Sequence, residues 1–358
     1  MSSEAVLSAL EAVAAPGSDE NVVAAGYVRD LDARPDGVRF RLEVPGPLTP
    51  ARAALEGQCR EALATLGAPV EVEVDAKIAA SFVGGEGALA PGVKNFIAVG
   101  SGKGGVGKST VSANIACGLA KAGARVGLLD ADIYGPSIPL MFGVPRRAFL
   151  EEMQLRADAC APGETPALLP FLRHGVQTMS LGYLVDPDQA AIWRGPMVHG
   201  ALQQLLRDVQ WGELDYLIID MPPGTGDAQL TLTQVIQLAG AVVVCTPQPV
   251  AIADARKAKQ MFEKTRTDVL GVVENMTGAI FGEGGAKDEA EEWGTPFLGG
   301  LPLTAEVRES GDSGVPVLAQ DDPQGPLAEA LWGVVDRLTA VLAKRARARP
   351  RSLPVSRS

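Results

Sequence analysis

A glycine-rich stretch in the first third of the chain carries the residue types that bind phosphate. Residues 100–110 read GSGKGGVGKST, so from Gly102 the spacing is Gly, four residues, Gly-Lys-Ser. Glycines let consecutive backbone N–H groups turn inward and form a concave anion site. In such a loop Lys108 would reach the β- and γ-phosphates of a nucleotide, and the hydroxyl of Ser109 would bind Mg²⁺. The spacing therefore predicts a nucleotide triphosphate site.

The elements that must position this loop are predicted on both sides of it. Residues 93–100 (VKNFIAVG) form an apolar run typical of a buried strand, and residues 109–123 show helical spacing of apolar side chains that ends at Gly123. The positive end of that helix would point at the phosphates. A strand, a glycine loop and a helix thus follow one another in the order that phosphate binding requires.

The same letters also fit a dinucleotide fingerprint. Gly102, Gly104 and Gly107 spell G-x-G-x-x-G, and Asp130 lies at about the distance of the acid that binds a ribose. A nicotinamide site has no use for a lysine and a hydroxyl aimed at phosphate and metal. The Gly-Lys-Ser ending therefore favours the triphosphate interpretation.

Three acids are predicted at the carboxyl ends of neighbouring strands. Asp220 ends the apolar run YLIID, where its carboxylate would bind Mg²⁺ directly or through water, or would instead accept hydrogen bonds from the amino end of a helix. The PPGTGD segment that follows suits a loop whose backbone contacts the γ-phosphate and rearranges when it leaves. Asp132, in DADIYGPS, is within reach of Mg²⁺ and of a water in line with the γ-phosphate, which it would orient. Asp130 has either a similar role or a structural one, bonding loop backbone.

A second lysine, Lys103, follows the first glycine of the loop. One lysine suffices for the bound phosphates, and this one projects away from its own loop. A cation there could cross a dimer interface and neutralise the phosphates of the partner subunit. The second lysine has a use in a dimer in which two nucleotide sites face each other.

Composition limits the remaining function classes. The chain has 358 residues, 46% of them hydrophobic, and a net charge of −11, which argues against nonspecific nucleic-acid binding. Residues 344–358 hold six basic side chains and no acid, as a solvated tail or an anionic contact would. Without a membrane-length apolar run, a secretory signal or a cysteine framework, we expect a cytoplasmic protein that does not bind membranes.

Strand and helix patterns divide the chain into two folded regions. Residues 1–82 read as a small α+β domain, 83–93 as a linker, 94–345 as the nucleotide-binding domain and 346–358 as a basic disordered tail. In the large region buried strands alternate with helices, which predicts an α/β fold: a P-loop NTPase with a mostly parallel, doubly wound sheet. The five predicted strands are 93–100, 125–132, 214–220, 240–249 and 268–276.

Several motifs together resemble the Mrp/ApbC iron–sulfur cluster carriers, a family of the MinD-type NTPase superfamily. They are KGGVGKS, LLDADIYGPSIP, WRGPM, LDYLIIDMPPGTGD, TPQPVAIADARKA, GVVENM, FLGGLPL and VRESGDSGVPV. The N-terminal region is similar to domains related to iron–sulfur assembly factors. The resemblance covers roughly residues 5–345 and implies an ATP-hydrolysing homodimer that uses Mg²⁺ and works with iron–sulfur acceptor or assembly proteins.

The resemblance also implies roles for individual residues. Lys103 matches the lysine that acts across the dimer, and Asp132 and Asp220 match the switch and Mg²⁺ acids. Asn275 matches the residue that contacts the adenine base; its alternative role is to cap a helix or a turn. Pro247 lies in the stretch that lines the adenine side of the site. The ATP loop corresponds to Gly102, Lys103, Gly104, Gly105, Val106, Gly107, Lys108, Ser109 and Thr110.

One family feature is missing from this chain. The Cys-x-x-Cys segment, whose thiolates hold a four-iron cluster between two subunits of the family, normally follows the ENM motif. Here only residues 277–279 separate Met276 from Ile280, and Cys59, Cys117, Cys160 and Cys245 form no ligand pair. An iron–sulfur cluster is therefore implied by the family and not supported by the cysteines.

The alternative function is that of a MinD-like regulatory or scaffolding ATPase acting on a protein or membrane partner. The last helical pattern carries an apolar stripe followed by basic residues, which suits either a core helix or a membrane contact.

Overall fold

The computed structural model describes residues 2–81, 89–133, 135–160, 167–184 and 195–348. These residues form two compact units, one made of 2–81 with 336–348 and the other of 89–335. Trp193 and Arg194 of the WRGPM motif, most of the linker and the tail from residue 349 lie outside the described residues. No helix in the described part of the chain is both long and apolar enough to cross a bilayer.

The smaller unit is a three-stranded sheet covered by helices. β2 is central, antiparallel to β1 and parallel to β3. The alternating pattern of residues 21–34 predicts a strand, but β1 begins only at Val28. Residues 22–26 are turns, and Asn21 Oδ1 accepts the backbone N–H of Val23 (3.0 Å) and Ala24 (2.8 Å) there. The elements are α1 (Ser3–Leu10), β1 (Val28–Arg34), β2 (Gly37–Pro45), α2 (Pro50–Ala53), α3 (Leu55–Leu63) and β3 (Val70–Lys77).

The larger unit contains an eight-stranded sheet among its described residues, in the order β11-β10-β9-β4-β8-β5-β7-β6. All neighbours are parallel except β6 and β7, which form an antiparallel hairpin at one edge. The predicted P-loop α/β fold is confirmed. The strands are β4 (Phe96–Gly100), β5 (Val126–Asp130), β6 (Phe171–Arg173), β7 (Val176–Ser180), β8 (Tyr216–Asp220), β9 (Gly240–Cys245), β10 (Val269–Thr277) and β11 (Phe297–Pro302).

Helices connect the strands of this sheet. The central strands β4, β5, β8 and β9 are buried along their whole length, as expected for a sheet covered on both faces. The helices are α4 (Lys108–Lys121), α5 (Ile138–Met141), α6 (Arg146–Asp158), α7 (Leu181–Leu184), α8 (Gly195–Arg207), α9 (Asp227–Val235), α10 (Pro249–Lys264), α11 (Gly285–Glu292), α12 (Ala305–Ser313) and α13 (Pro326–Ala348).

The carboxyl ends of the central strands gather the predicted site residues. β4 leads into the glycine loop, and its neighbour β8 ends at Asp220. β5, on the other side of β8, ends at Asp130, and the Cα atoms of Asp130 and Asp220 are paired in the ladder. Ligands of open α/β sheets bind at this edge.

Candidate nucleotide-binding site

Close packing fixes the path of the glycine loop between β4 and α4. A Cβ on Gly102 would lie 2.0 Å from the carbonyl oxygen of Asp254 in α10. Gly107 has φ +80°, and a Cβ there would lie 2.1 Å from Nδ2 of Asn275. Neither position tolerates a side chain, so these glycines set how closely the loop approaches α10 and β10.

Asn275 holds the loop from the β10 side. Its Nδ2 donates to the carbonyl oxygen of Val106 (2.8 Å), and the Asn275 side chain is buried. Pro247 is also buried, with its carbonyl oxygen facing Gly285. The structure therefore gives Asn275 a contact that organises the loop, while its contact with adenine stays a prediction.

Three predicted residues converge at the amino end of α4. Lys108 Nζ donates to Oδ1 of Asp220 (2.7 Å), and Ser109 Oγ donates to Oδ2 of the same carboxylate (2.6 Å). Asp220 is fully buried, and the Lys108 side chain is only 6% exposed. The carboxylate thus contacts the ammonium that would bind phosphate and the hydroxyl that would bind the metal.

Sequence analysis missed a fourth member of this cluster, Ser112. It lies one turn after Lys108 on α4, and its Oγ contacts Asp220 Oδ1 (2.7 Å) and the Lys108 carbonyl oxygen (3.0 Å). The signal was available, because a serine four residues after the loop lysine occupies the same helix face.

Asp130 organises the loop after β5. Its Oδ2 accepts from Ser180 Oγ (3.0 Å) and the Ile138 N–H (3.2 Å), and its Oδ1 accepts from the Asp132 N–H (3.2 Å). Burial, followed by the negative charge of Asp220, raises the pKa of Asp130 to about 7. These contacts favour the structural alternative for this residue.

Asp132 lies in the same loop and is half-buried. Its Oδ1 accepts from the Gly135 N–H (3.2 Å), so the side chain shapes the turn that follows. Its predicted contacts with metal and water stay predictions.

The segment after β8 is bonded to the glycine loop. The Met221 N–H donates to Val99 O (3.0 Å), and the Gly224 N–H donates to Ser101 O (3.1 Å). A rearrangement of residues 222–226 would therefore reach the glycine loop, while the contact of this segment with the γ-phosphate stays a prediction.

Lys103 differs from Lys108 in that its ammonium has no partner among the residues that the structure describes. The side chain is half-exposed, and the contact recorded for this residue is Ser101 Oγ donating to its carbonyl oxygen (2.9 Å). The cation is thus available to a group outside this part of the chain.

Comparison with known proteins defines the family. A family model described as a NUBPL iron-transfer P-loop NTPase matches residues 92–339. The chain belongs to this iron-transfer P-loop NTPase family. A second family model, described as an iron–sulfur cluster assembly protein, matches residues 3–76. The resemblance to the Mrp/ApbC carriers is confirmed.

Individual relatives are consistent with this family assignment. The iron–sulfur cluster carrier protein of Synechocystis is 42% identical over 94% of this chain and 97% of its own length. That of Escherichia coli is 48% identical over 70% of this chain and 68% of its own. A nucleotide-binding protein from Archaeoglobus fulgidus, solved with ADP, has a TM-score of 0.52 and 38% identity, covering 64% of this chain and 90% of that one. MinD from Pyrococcus furiosus, at 23% identity and TM-score 0.52, covers 68% of this chain and 97% of its own and shares the fold.

Where the family resemblance places the Cys-x-x-Cys segment, this chain has a tight turn. Gly278 and Gly282 exchange two backbone hydrogen bonds (3.0 and 2.7 Å), leaving Ile280 at the tip, 78% exposed. Glu274, buried at the end of β10, accepts the N–H groups of Gly284 (2.8 Å) and Ala286 (2.7 Å) and so anchors α11. The turn holds no thiol.

The cysteines of this NTPase are poor cluster ligands. Burial raises the pKa of Cys59 and of Cys245 to about 12, and it also raises the pKa of Cys117. Cys160 is half-buried, with Sγ 3.3 Å from the Arg156 carbonyl oxygen. Among the described residues no group of three or more His, Cys, Asp or Glu side chains is placed to hold a metal.

These environments predict selective thiol labelling. Treating the native protein with iodoacetamide should modify Cys160 and leave the three buried cysteines unmodified, whereas all four should react in denaturant. Peptide mass spectrometry measures the outcome. Rapid native labelling of Cys59, Cys117 or Cys245 would contradict the burial described here.

The oxygen donors of the site fit a bound Mg²⁺. Mg²⁺ takes few ligands from protein, usually one or two oxygens, and completes its octahedron with phosphate and water. Ser109 Oγ and Asp220 Oδ2 lie side by side, 2.6 Å apart, at the start of α4. These two oxygens would hold the ion directly or through water.

Proposed function

We propose that this protein binds and slowly hydrolyses Mg·ATP as a homodimer that serves iron–sulfur cluster assembly. The observation that carries the proposal is the convergence of Lys108 and Ser109 on Asp220, directly after a glycine loop that close packing fixes. Membership in the iron-transfer NTPase family and the ADP in the Archaeoglobus relative support the nucleotide.

Nucleotide binding would exchange partners within this cluster. The phosphates attract the Lys108 ammonium away from Asp220, and the backbone N–H groups of the loop and the amino end of α4 face the same anion. Bound Mg²⁺ would neutralise charge on the β- and γ-phosphate oxygens. Asp220, relieved of Lys108, keeps the hydroxyl of Ser109 oriented, and Asp132 would orient the attacking water.

Lys103 would complete the partner's site in the dimer. Lys103→Ala should leave the Kd for ATP within about threefold of wild type, but should lower turnover by about a hundredfold or more, because a cation supplied in trans contributes ~10³ or more to phosphoryl transfer. An ATP titration measures the Kd, and single-turnover hydrolysis measures the rate.

A mixed dimer provides the control for Lys103. Pairing a Lys103→Ala subunit with a Lys108→Ala subunit leaves one binding-competent site, which receives an intact Lys103 from its partner. Recovery of part of the activity supports action in trans. Unchanged turnover in the Lys103→Ala homodimer would remove this role.

We propose that the iron–sulfur cluster is bound by a partner protein and not by the cysteines of this chain. Relatives carry the name iron–sulfur cluster carrier protein, yet the turn at 278–282 has no cysteine and three of the four thiols are buried. We therefore assign the chain the nucleotide-driven part of cluster assembly, with a cysteine-bearing acceptor or assembly protein as its partner.

Anaerobic reconstitution tests this assignment. Incubation with iron and sulfide, followed by a visible spectrum and an iron count, should give a colourless protein with unchanged ATP binding. A stable brown chromophore that survives gel filtration would show that the chain itself holds a cluster. Loss of that chromophore in Cys160→Ser would identify the ligand.

The alternative function, a MinD-like regulatory ATPase acting on a membrane, was suggested by the apolar stripe of the last helix. The apolar stripe of α13 is buried rather than available to a membrane; its members Leu327, Leu331, Val334, Leu338 and Leu342 are all at most 6% exposed. Flotation with anionic vesicles, with and without ATP, should leave the protein at the bottom of the gradient.

A further inference from the structure

Ser112 stands apart from the loop motif but belongs to the same cluster by contact. Its side chain is 0% exposed and lies on α4 beneath Lys108. The Oγ atom is within hydrogen-bond distance of two acceptors, Asp220 Oδ1 at 2.7 Å and the Lys108 carbonyl oxygen at 3.0 Å. A hydroxyl has one proton, and a carboxylate accepts more strongly than a carbonyl, so the proton goes to Asp220.

Among the described residues, three side chains donate to the Asp220 carboxylate, and all three belong to α4. Oδ1 accepts from Lys108 and Ser112, and Oδ2 accepts from Ser109. Under the proposed function, Lys108 turns to the phosphates of ATP, and Mg²⁺ would use a lone pair of Ser109, whose O–H can still donate to Oδ2. Ser112 is then the side-chain donor that stays with Oδ1.

A buried carboxylate without donors does not keep a fixed position. Asp220 is fully buried, and its neighbour across the ladder is Asp130, also buried and itself held by Ser180. Two adjacent carboxylates repel each other, so each needs a donor that stays in place. Ser112 donates to Oδ1 of Asp220, and Ser180 donates to Oδ2 of Asp130.

We propose that Ser112 is a positioning residue for Mg²⁺-dependent nucleotide binding. It fixes Asp220 Oδ1 so that Oδ2 faces Ser109 and the metal position after Lys108 has turned to the phosphates. This inference rests on the proposed function, and it adds a residue that contacts neither nucleotide nor metal.

Ser112→Thr and Ser112→Val form a matched pair of variants, because threonine and valine have the same shape and differ in the hydroxyl. Fluorescent ATP titrations are performed with saturating Mg²⁺ and with EDTA, and the Mg²⁺ concentration for half-maximal binding is measured. Ser112→Val should weaken Mg·ATP binding about tenfold relative to Ser112→Thr, the effect of losing a hydrogen bond to a charged group. In EDTA the two variants should bind ATP with equal affinity.

A structural role for the hydroxyl gives a different pattern. If it only stabilised the fold, the pair would differ in thermal midpoint but not in Mg²⁺ dependence, and that result would overturn the proposal. Ser310→Ala is the control, since Ser310 is a buried helical serine whose Oγ donates to a backbone carbonyl, Val307 O (3.0 Å). It should leave Mg²⁺ dependence unchanged.

The two hypotheses fail separately. A wild-type protein that does not bind Mg·ATP would refute the proposed function. Normal Mg·ATP binding in wild type, combined with equal Mg²⁺ dependence of the threonine and valine variants, would refute the role of Ser112 alone. Should Ser112→Val not fold, Ser112→Ala against Ser112→Thr gives the same comparison with a smaller side chain.

Discussion

Replacing Lys108 by alanine is expected to abolish ATP binding, weakening the affinity by at least about a hundredfold, or roughly 2.7 kcal/mol. The ammonium is the single buried cation at the amino end of α4, and its bonds to phosphate would be charge-assisted. The glycine loop and the helix end would keep only the weaker backbone contacts. Isothermal titration with ATP and Mg²⁺ measures the loss.

This substitution also removes the cation from a buried carboxylate, so its effect on folding must be separated from its effect on binding. Asp220 keeps the hydroxyls of Ser109 and Ser112, which limits the damage. Thermal unfolding without nucleotide should show a variant that is destabilised but folded at the titration temperature. Lys121→Ala is the control on the same helix, because Lys121 contacts the carbonyl oxygens of Gln320 and Asp321 far from the site. Near-normal ATP affinity in Lys108→Ala would contradict the loop assignment.

The part of the site that sequence predicted is the part built from consecutive residues. Gly102 to Ser109 carry their chemistry in their spacing, and Asp220 is recognisable as an acid that ends an apolar strand. The structure adds what brings them together: β4 and β8 are neighbours in the sheet, so the loop and Asp220 meet at one edge. The alternation of strands and helices predicts a parallel sheet, but the order of the strands comes from the structure.

Three strands were missed for identifiable reasons. β6 is three residues long and lies at the sheet edge with exposed side chains. β7 mixes Gln177 and Thr178 into its buried run, which hides an apolar pattern. β11 contains Gly299 and Gly300, residues that are depleted in strands. In each case pairing with a neighbour, rather than local propensity, makes the strand.

Contacts over long sequence separations were the hardest part to predict. Helical spacing places Ser112 on the same face as Lys108, but only the fold shows that Ser112 contacts Asp220, 108 residues later in the chain. Glu274 reads as an acid in an apolar strand, and only the fold reveals that its carboxylate anchors α11. Asp336 is similar, because it lies within residues 94–345, which the sequence assigned to the large domain, whereas the structure groups it with the small unit.

The small unit should depend strongly on the buried ion pair between Arg52 and Asp336. Arg52 is fully buried, with Nε 3.3 Å from Asp336 Oδ1, and its guanidinium also donates to the Asp336 carbonyl oxygen (3.0 Å) and to Thr339 Oγ1 (2.7 Å). Thr49 Oγ1 donates to the same carboxylate oxygen (2.6 Å). The C-terminal part of α13 is thereby joined to the unit formed by residues 2–81.

Arg52→Leu is expected to lower the free energy of unfolding by about 3–5 kcal/mol, because removing one partner of a buried pair leaves the other charge uncompensated. Urea unfolding followed by circular dichroism measures the change. Arg39→Leu, which breaks an exposed pair with Glu71, is the control and should leave the midpoint almost unchanged. The double variant Arg52→Leu with Asp336→Leu should recover part of the loss, since no buried charge is then left alone.

The pH dependence of Arg52→Leu gives an independent check on the mechanism. Burial raises the pKa of Asp336 above its ordinary value, and Arg52 opposes that rise, so the variant should raise the pKa of Asp336 further. A folded state that binds this proton more tightly than the unfolded state loses stability as pH rises through the folded pKa. The penalty of Arg52→Leu should therefore be smaller at acidic pH than at neutral pH. An equal penalty at both would mean that lost packing, rather than the uncompensated carboxylate, causes the destabilisation.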